Sequence, residues 1–222
     1  RGFLMGATAG RTTLNGEGLQ HQDGQSHLFA SVYPNLRAYE PAYAYETAVL
    51  VRDGIHRMYE LNEPWIYYIT LQNENYIMPP MPGDADVTSK AIVDGLYRIQ
   101  ERDSAKAQLF GSGSILPGVL AAATILEEQY GVPCDVWSAT SYKQLRTDAL
   151  AAEHWNRLHP GEAPRSCHLW DVLSGVSGPF VAASDNVALV PELVSPWFGE
   201  GREVNGRLWA LGTDGFGRSD TR

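Results

Sequence analysis

A strand–helix–strand unit in the second half of the chain limits the fold more than any other feature. Lys106-Ala107-Gln108-Leu109-Phe110 is a β-forming run that enters Gly111-Ser112-Gly113-Ser114. Ile115–Tyr130 then reads as a helix, with Gly131 placed to end it, and Asp135–Ala139 reads as a second strand. Two strands joined through a helix by short joints lie parallel in one sheet, and the right-handed crossover rule prunes the topologies left. Further strands fit Pro179–Ser184 and Arg207–Leu211, with helical segments at Gln144–Leu158 and Val187–Val194. Four strands separated by helices define an α/β protein: a three-layer α/β/α arrangement around a mostly parallel sheet.

The first third of the chain carries half of another such layer. From Tyr43, the residues Ala44, Ala48, Val51, Ile55 and Met58 follow helical spacing. They predict an apolar face there, with Glu46, Arg52, Asp53 and Arg57 toward water and Pro41 in the first turn. Trp65–Leu71 is an almost unbroken β-forming run, expected as a strand covered on both faces. Residues 1–33 show little periodicity, and the expectation there is a helix tail or turn over Arg1–Gly10 and a polar loop over Arg11–His27. Met78-Pro79-Pro80-Met81-Pro82-Gly83 suits neither helix nor sheet and marks a domain boundary, dividing the chain into 1–85 and 86–222. A short helix is expected at Ser89–Ile99.

Composition narrows the function classes. At 222 residues and 44% apolar, the chain can bury one large core or two modest ones. Its 17 basic and 26 acidic residues leave a formal charge of −9, which argues against general attraction to nucleic acid or anionic membrane. Cys134 and Cys167 are too few for a disulfide scaffold and suit a reducing compartment, so the expected location is cytoplasmic. No stretch reaches the roughly 18 consecutive apolar residues of a membrane span. The start at Arg1-Gly2-Phe3-Leu4 and the stop in a polar loop after a strand both read as internal cuts.

Chemistry concentrates in Leu14–His27, which combines His21 and His27 with Glu17, Asp23, amide side chains and Gly16, Gly18 and Gly24. Glycine permits close backbone approach to a ligand, and histidine supplies proton transfer and anion hydrogen bonding near neutral pH. A functional loop and an ordinary exposed loop are both open on the residues alone, and the His21–His27 spacing matches no familiar metal-ligand pattern. Gly111–Ser114 lacks the third glycine of a dinucleotide fingerprint and the lysine of a P-loop, so a packing turn is the better reading. Asp214–Asp220 suits a shaped ligand or subunit loop and a solvent loop equally, and Asn73-Glu74-Asn75 lies where open α/β sheets place their sites. His56, His154, His159, His168 and both cysteines take structural readings.

These segments resemble a known family. Gly6–His21 with Asp23-Gly24, Glu40–Glu46, Leu71–Tyr76, Leu109–Leu116 and Gly212–Arg222 are, in order, similar to the homodimeric bacterial type of pyruvate dehydrogenase E1. The resemblance implies a transketolase-like thiamine diphosphate enzyme that decarboxylates pyruvate and reductively acetylates the lipoyl group of the dihydrolipoyl acetyltransferase E2 component. It also implies a second E1 subunit, and a chain holding the end of the pyrimidine-binding middle domain plus a transketolase-like C-terminal domain lacking its final elements. His21 corresponds to an imidazole contacting the substrate-derived part of the adduct, and His27, in its Asp-Gly-x-Ser-His setting, to a second site histidine. The family's magnesium and diphosphate motif and its pyrimidine-activating glutamate precede Arg1, so no cofactor-binding or metal residue is assigned, and neither Glu17 nor Glu46 takes that role. The chain by itself is then expected to be catalytically silent. The competing reading is a structural or dimerisation module of another transketolase-like thiamine diphosphate enzyme.

Overall fold

A computed structural model describes residues 1–13 and 21–215. Two sheets organise the chain. The first has the order β1-β3-β2, with β1 Gly2–Ala9, β2 Leu36–Tyr39 and β3 Ile66–Gln72 all parallel. The second has the order β4-β6-β5-β7-β8, from β4 Tyr97–Gln100, β5 Ala107–Gly111, β6 Cys134–Ser138, β7 Phe180–Ala183 and β8 Leu208–Leu211. All its pairs are parallel except β4 with β6. Helices α1 Ser26–Ser31, α2 Ala44–Ile55, α3 Ala85–Asp94, α4 Leu116–Tyr130, α5 Tyr142–Leu158 and α6 His168–Val172 link and cover them.

The central strands of the second sheet are buried on both faces, which is why β5 and β6 are so rich in apolar residues. Alternation assigns each residue to a layer. Phe110, Trp137 and Phe180 meet Leu145, Leu173 and Trp197 on one side, while Leu109 and Val136 meet Leu116, Val119 and Ala123 of α4 on the other. The expected strand–helix–strand unit is therefore present, and Gly131 ends α4 at φ 64°, a left-handed conformation suited to glycine. In the first sheet Tyr39, Tyr67 and Ile69 pack with Leu50 and Met58, and Ile92, Val93 and Tyr97 join the same core from across the 73–83 connection.

Several expectations are corrected. Gly2–Ala9 is a strand, not a helix tail, paired with β3 from Gly2↔Ile66 onward; Gly2 and Gly6 interrupt the side-chain alternation that would announce it. Pro41 precedes α2, whose cap is Tyr43, with the Glu46 carboxylate reaching back to the backbone of Ala42 and Tyr43. The buried stripe of α2 is Glu46, Val49, Leu50 and Gly54, while Ala44 and Ala48 are exposed and Ile55 is 46% exposed. α2 runs on through a π-helical turn at His56–Glu60 that rotates Met58 into the core. The expected helix at Ser89–Ile99 lies at Ala85–Asp94, capped by Asp84 and closed by Gly95 at φ 113°, so that Ile99 falls in the extra, antiparallel β4. The expected helix at Val187–Val194 is a 3-10 stretch at Pro191–Trp197.

Candidate functional site at the facing strand ends

Open parallel sheets gather polar groups beyond their carboxy ends. Here the carboxy ends of both sheets face one another. Glu40, the residue after β2, is buried between them. It accepts hydrogen bonds from Gln72 at the end of β3 (3.0 Å), from Ser112 after β5 (2.6 Å) and from Asn186 after β7 (3.0 Å to each oxygen). Burial raises its carboxyl from 4.5 to about 7 against the opposing Ser112 hydrogen bond, and the nearby Asp185 charge adds to the rise. A second buried carboxylate, Glu46, accepts from Tyr97 and Ser138, both at 2.6 Å, and burial raises it as well. Each acid thus ties the first sheet to the second.

The candidate loop sits on this edge. His21 is exposed. Two residues on, Asp23 Oδ1 accepts the N–H groups of Gln25 and Ser26 at 3.0 Å, and Ser26 Oγ donates to Oδ2. This Asx-type turn starts α1 and carries His27 inward. His27 is buried, with Nε2 2.8 Å from Thr70 Oγ1 on β3 and its ring 5.4 Å from that of Tyr68. Burial lowers its pKa to about 4 despite the opposing Asp23 charge, so His27 is neutral at pH 7. The structure therefore places His21 at the surface and His27 in the interior of one short segment. Leu14–Gln20 and the larger part of Asp214–Asp220 lie outside the described residues.

Other sequence candidates take definite roles. In Gly111–Ser114 the Ser112 hydroxyl and the Gly113 N–H both go to Glu40, the latter to its carbonyl at 3.2 Å. Gly113 adopts φ 49°, and a Cβ there would lie 2.6 Å from Gln72 Nε2. The turn receives the first sheet's edge, which agrees with its reading as a packing turn. Glu74 and Thr12 line a cavity of about 380 Å³ beside Tyr76 and Ser114 at the same edge. Among the described residues, no three His, Cys, Asp or Glu side chains form a metal-binding group. The buried acids Glu40 and Glu46 already accept several hydrogen bonds from the chain, so neither carboxylate fits a magnesium ion.

Sequence reasoning passed over Glu40, Asp185 and Asn186. Their signal was nonetheless present: polar residues directly after Leu36–Tyr39 and just beyond Phe180–Ala183, where parallel strands deliver their sites.

Similar folds occur in solved structures. The H261F variant of transketolase from Pichia stipitis matches 98% of this chain and 26% of its own, with a TM-score of 0.68 and 17% identity. Transketolase from Campylobacter jejuni matches 98% and 28%, with a TM-score of 0.62 and 20% identity. A split-gene transketolase in the form of an inactive β4 tetramer matches 96% of this chain and 57% of its own, with a TM-score of 0.57 and 18% identity. The fold class is therefore transketolase-like. The family model of the pyruvate dehydrogenase E1 component middle domain matches residues 1–79, and that of the transketolase-like C-terminal domain matches 95–222. Pyruvate dehydrogenase E1 components of Pseudomonas aeruginosa and Escherichia coli are each 49% identical over the whole chain, and that of Mycobacterium tuberculosis is 44% identical. The chain belongs to the pyruvate dehydrogenase E1 component family of transketolase-like proteins, and it spans about a quarter of the length of these relatives (24%, 24% and 23%).

Proposed function

We propose that this chain completes the active site of a pyruvate dehydrogenase E1 component, supplying His21 and His27 from the strand ends. The full-length protein decarboxylates pyruvate and passes the acetyl group reductively to the lipoyl group of the dihydrolipoyl acetyltransferase E2 component. It works as a homodimer in the cytoplasm, with thiamine diphosphate and magnesium held by parts of the protein other than the residues described. In this reading 1–85 is the end of the pyrimidine-binding domain and 86–222 the C-terminal domain. The chain by itself is inactive.

One observation carries the reading: an exposed and a buried imidazole share one short segment at the facing strand ends. His21, at the surface, offers an N–H to the pyruvate carboxylate and then to the negative charge that develops on the substrate oxygen in the transition state. His27, neutral and hydrogen-bonded to Thr70, shapes the inner wall rather than adding a cation. The test uses the full-length protein, pyruvate and an artificial electron acceptor. His21→Ala lowers turnover by about 10²-fold or more, the range for losing one well-placed donor. Unchanged turnover removes His21 from the site, and turnover of a sugar phosphate in place of pyruvate redirects the reading to another transketolase-like enzyme.

A purely structural role has one observation in its favour, the inactive β4 tetramer formed by the split-gene transketolase of similar fold. Sedimentation of the 222-residue chain, beside turnover of the completed protein, tests this second reading. Assembly without activity in the completed protein supports a structural module, and a soluble monomer counts against it.

A further inference from the structure

The segment that carries His21 is held at both of its stems by one turn of the second sheet. Ser184–Val187 follows β7, and Asp185 within it is 1% exposed. Its carboxylate accepts the backbone N–H of Arg11 at 2.7 Å and that of Thr12 at 3.1 Å to each oxygen, across 174 and 173 residues of sequence. On the other stem, Val187 N–H donates to the Gly24 carbonyl at 2.9 Å. The stems also bind each other, Asp23 N–H donating to the Gly10 carbonyl at 3.0 Å.

The surroundings are shaped for this contact. Gly10 has φ 93°, and a Cβ there would lie 2.4 Å from Asp185 Oδ2, so only glycine lets the carboxylate approach. A Cβ on Gly24 would lie 2.4 Å from Arg11 Nε. The Arg11 guanidinium therefore lies against Gly24, and its Nη1 donates to the Thr213 carbonyl just beyond β8. Thr213 is fixed in turn, its hydroxyl donating to the Asp185 carbonyl at 2.6 Å and its N–H to the Asn186 carbonyl at 2.9 Å. Asn186 also holds Glu40.

We infer that Asp185, in the C-terminal half, is a positioning residue for His21. It fixes the backbone of Arg11 and Thr12 while its neighbour Val187 fixes Gly24, so the two stems share one rigid anchor in the second sheet. A carboxylate accepting buried N–H groups makes strong, directional hydrogen bonds. Losing it frees the first stem at the point where it meets Asp23, two residues from His21. A misplacement of about 1 Å at a catalytic group costs up to about 10²-fold in rate. The inference rests on the role proposed for His21, and the experiment separates the two.

The full-length protein is prepared as His21→Ala, Asp185→Ala, Asp185→Asn and the double variant His21→Ala/Asp185→Ala. Turnover with pyruvate and an artificial acceptor is measured beside amide hydrogen exchange of Gly10–Thr13. Asp185→Ala is expected to lower kcat by about 10- to 100-fold, with the KM for pyruvate within about 3-fold of the parent. Exchange at Arg11 and Thr12 accelerates. Asp185→Asn, which keeps one acceptor oxygen, falls between, and provides the readout if the alanine variant fails to fold. The double variant matches His21→Ala to within about 2-fold, because a displaced anchor has no effect once the imidazole is gone. If the two losses multiply, or if Asp185→Ala leaves exchange and kcat unaltered, Asp185 does not position His21 even though His21 keeps its role. If His21→Ala is itself silent, the proposed function falls and the catalytic part of this inference falls with it.

Discussion

Two of the buried titratable groups at the strand ends, His27 and Glu40, give opposite pH dependences of stability. His27 is moved from 6.5 to about 4, first by burial, with the Asp23 charge opposing. Between those values the unfolded chain holds a proton that the folded chain lacks, so stability rises with pH and is lost as pH falls through 4. Glu40 is moved from 4.5 to about 7, again first by burial. There the folded chain holds the extra proton, so its contribution is fully present below 4.5 and is lost as pH rises through 7. Each movement corresponds to about 3 kcal/mol, at about 1.36 kcal/mol per pKa unit. Between pH 4.5 and 6.5 the two slopes cancel, which predicts a flat profile from this pair. Substitution of either group unmasks the other. Relative to the parent, His27→Gln is expected to lose about 3 kcal/mol of stability on going from pH 4 to 6.5, and Glu40→Gln to gain about as much from pH 4.5 to 7. Urea unfolding of the 222-residue chain, followed by tryptophan fluorescence at half-unit steps from pH 4 to 8, gives the profiles. The Thr70 hydrogen bond lost in His27→Gln shifts the curve without tilting it. Two variants with the same slope as the parent would refute the assignment of these proton equilibria.

Two further outcomes follow from burial. Glu46→Ala strands the N–H groups of Ala42 and Tyr43 and the hydroxyl of Ser138, and leaves the Tyr97 hydroxyl only Tyr45, at a cost of about 4 kcal/mol; thermal unfolding that matches the parent would show these donors finding water. Burial pushes the Cys134 thiol up and the Cys167 thiol up to about 12, so alkylation of the native chain is expected to be slow at both and fast in urea. Rapid native labelling of either contradicts its inert role.

The parts of the fold legible in the sequence are those where one local rule suffices. β5, α4 and β6 could be read because an apolar run, a helix and Gly131 each carry their own signal. β1 could not, since Gly2 and Gly6 break its alternation and its strand character comes from pairing with β3, more than sixty residues away. The buried face of α2 is hidden from the sequence for a related reason: it includes Glu46 and Gly54, a charged residue and one with no side chain. Glu46 is inside because Tyr97 and Ser138 are there to donate to it. Gly54 is inside because Phe3 needs the space, a Cβ there lying 2.6 Å from its ring. At the site, the chemistry of Leu14–His27 was visible as composition, but the burial of His27 and the reach of Asp185 to Arg11 depend on contacts that no local pattern encodes.

The two matched family segments, 1–79 and 95–222, are consequently not independent in this fold. Residues 73–83 between the sheets contain no helix or strand, and Ile77 is 89% exposed, so this stretch is open to limited proteolysis. Backbone cleavage there leaves untouched every hydrogen bond that Glu40, Glu46 and Asp185 make between the sheets, together with the shared packing of Tyr39 and Ile69 against Ile92 and Tyr97. A nicked chain is therefore expected to migrate as one species on native gel filtration and to separate only in denaturant. Buried carboxylates that lose their donors cost several kcal/mol each, so separation in buffer would expose both halves to a large penalty. Elution of two pieces in native buffer would mean that the sheets are joined by the connection rather than by the polar contacts at their facing ends. The loop that carries His21 would then lack the anchor that the second sheet provides.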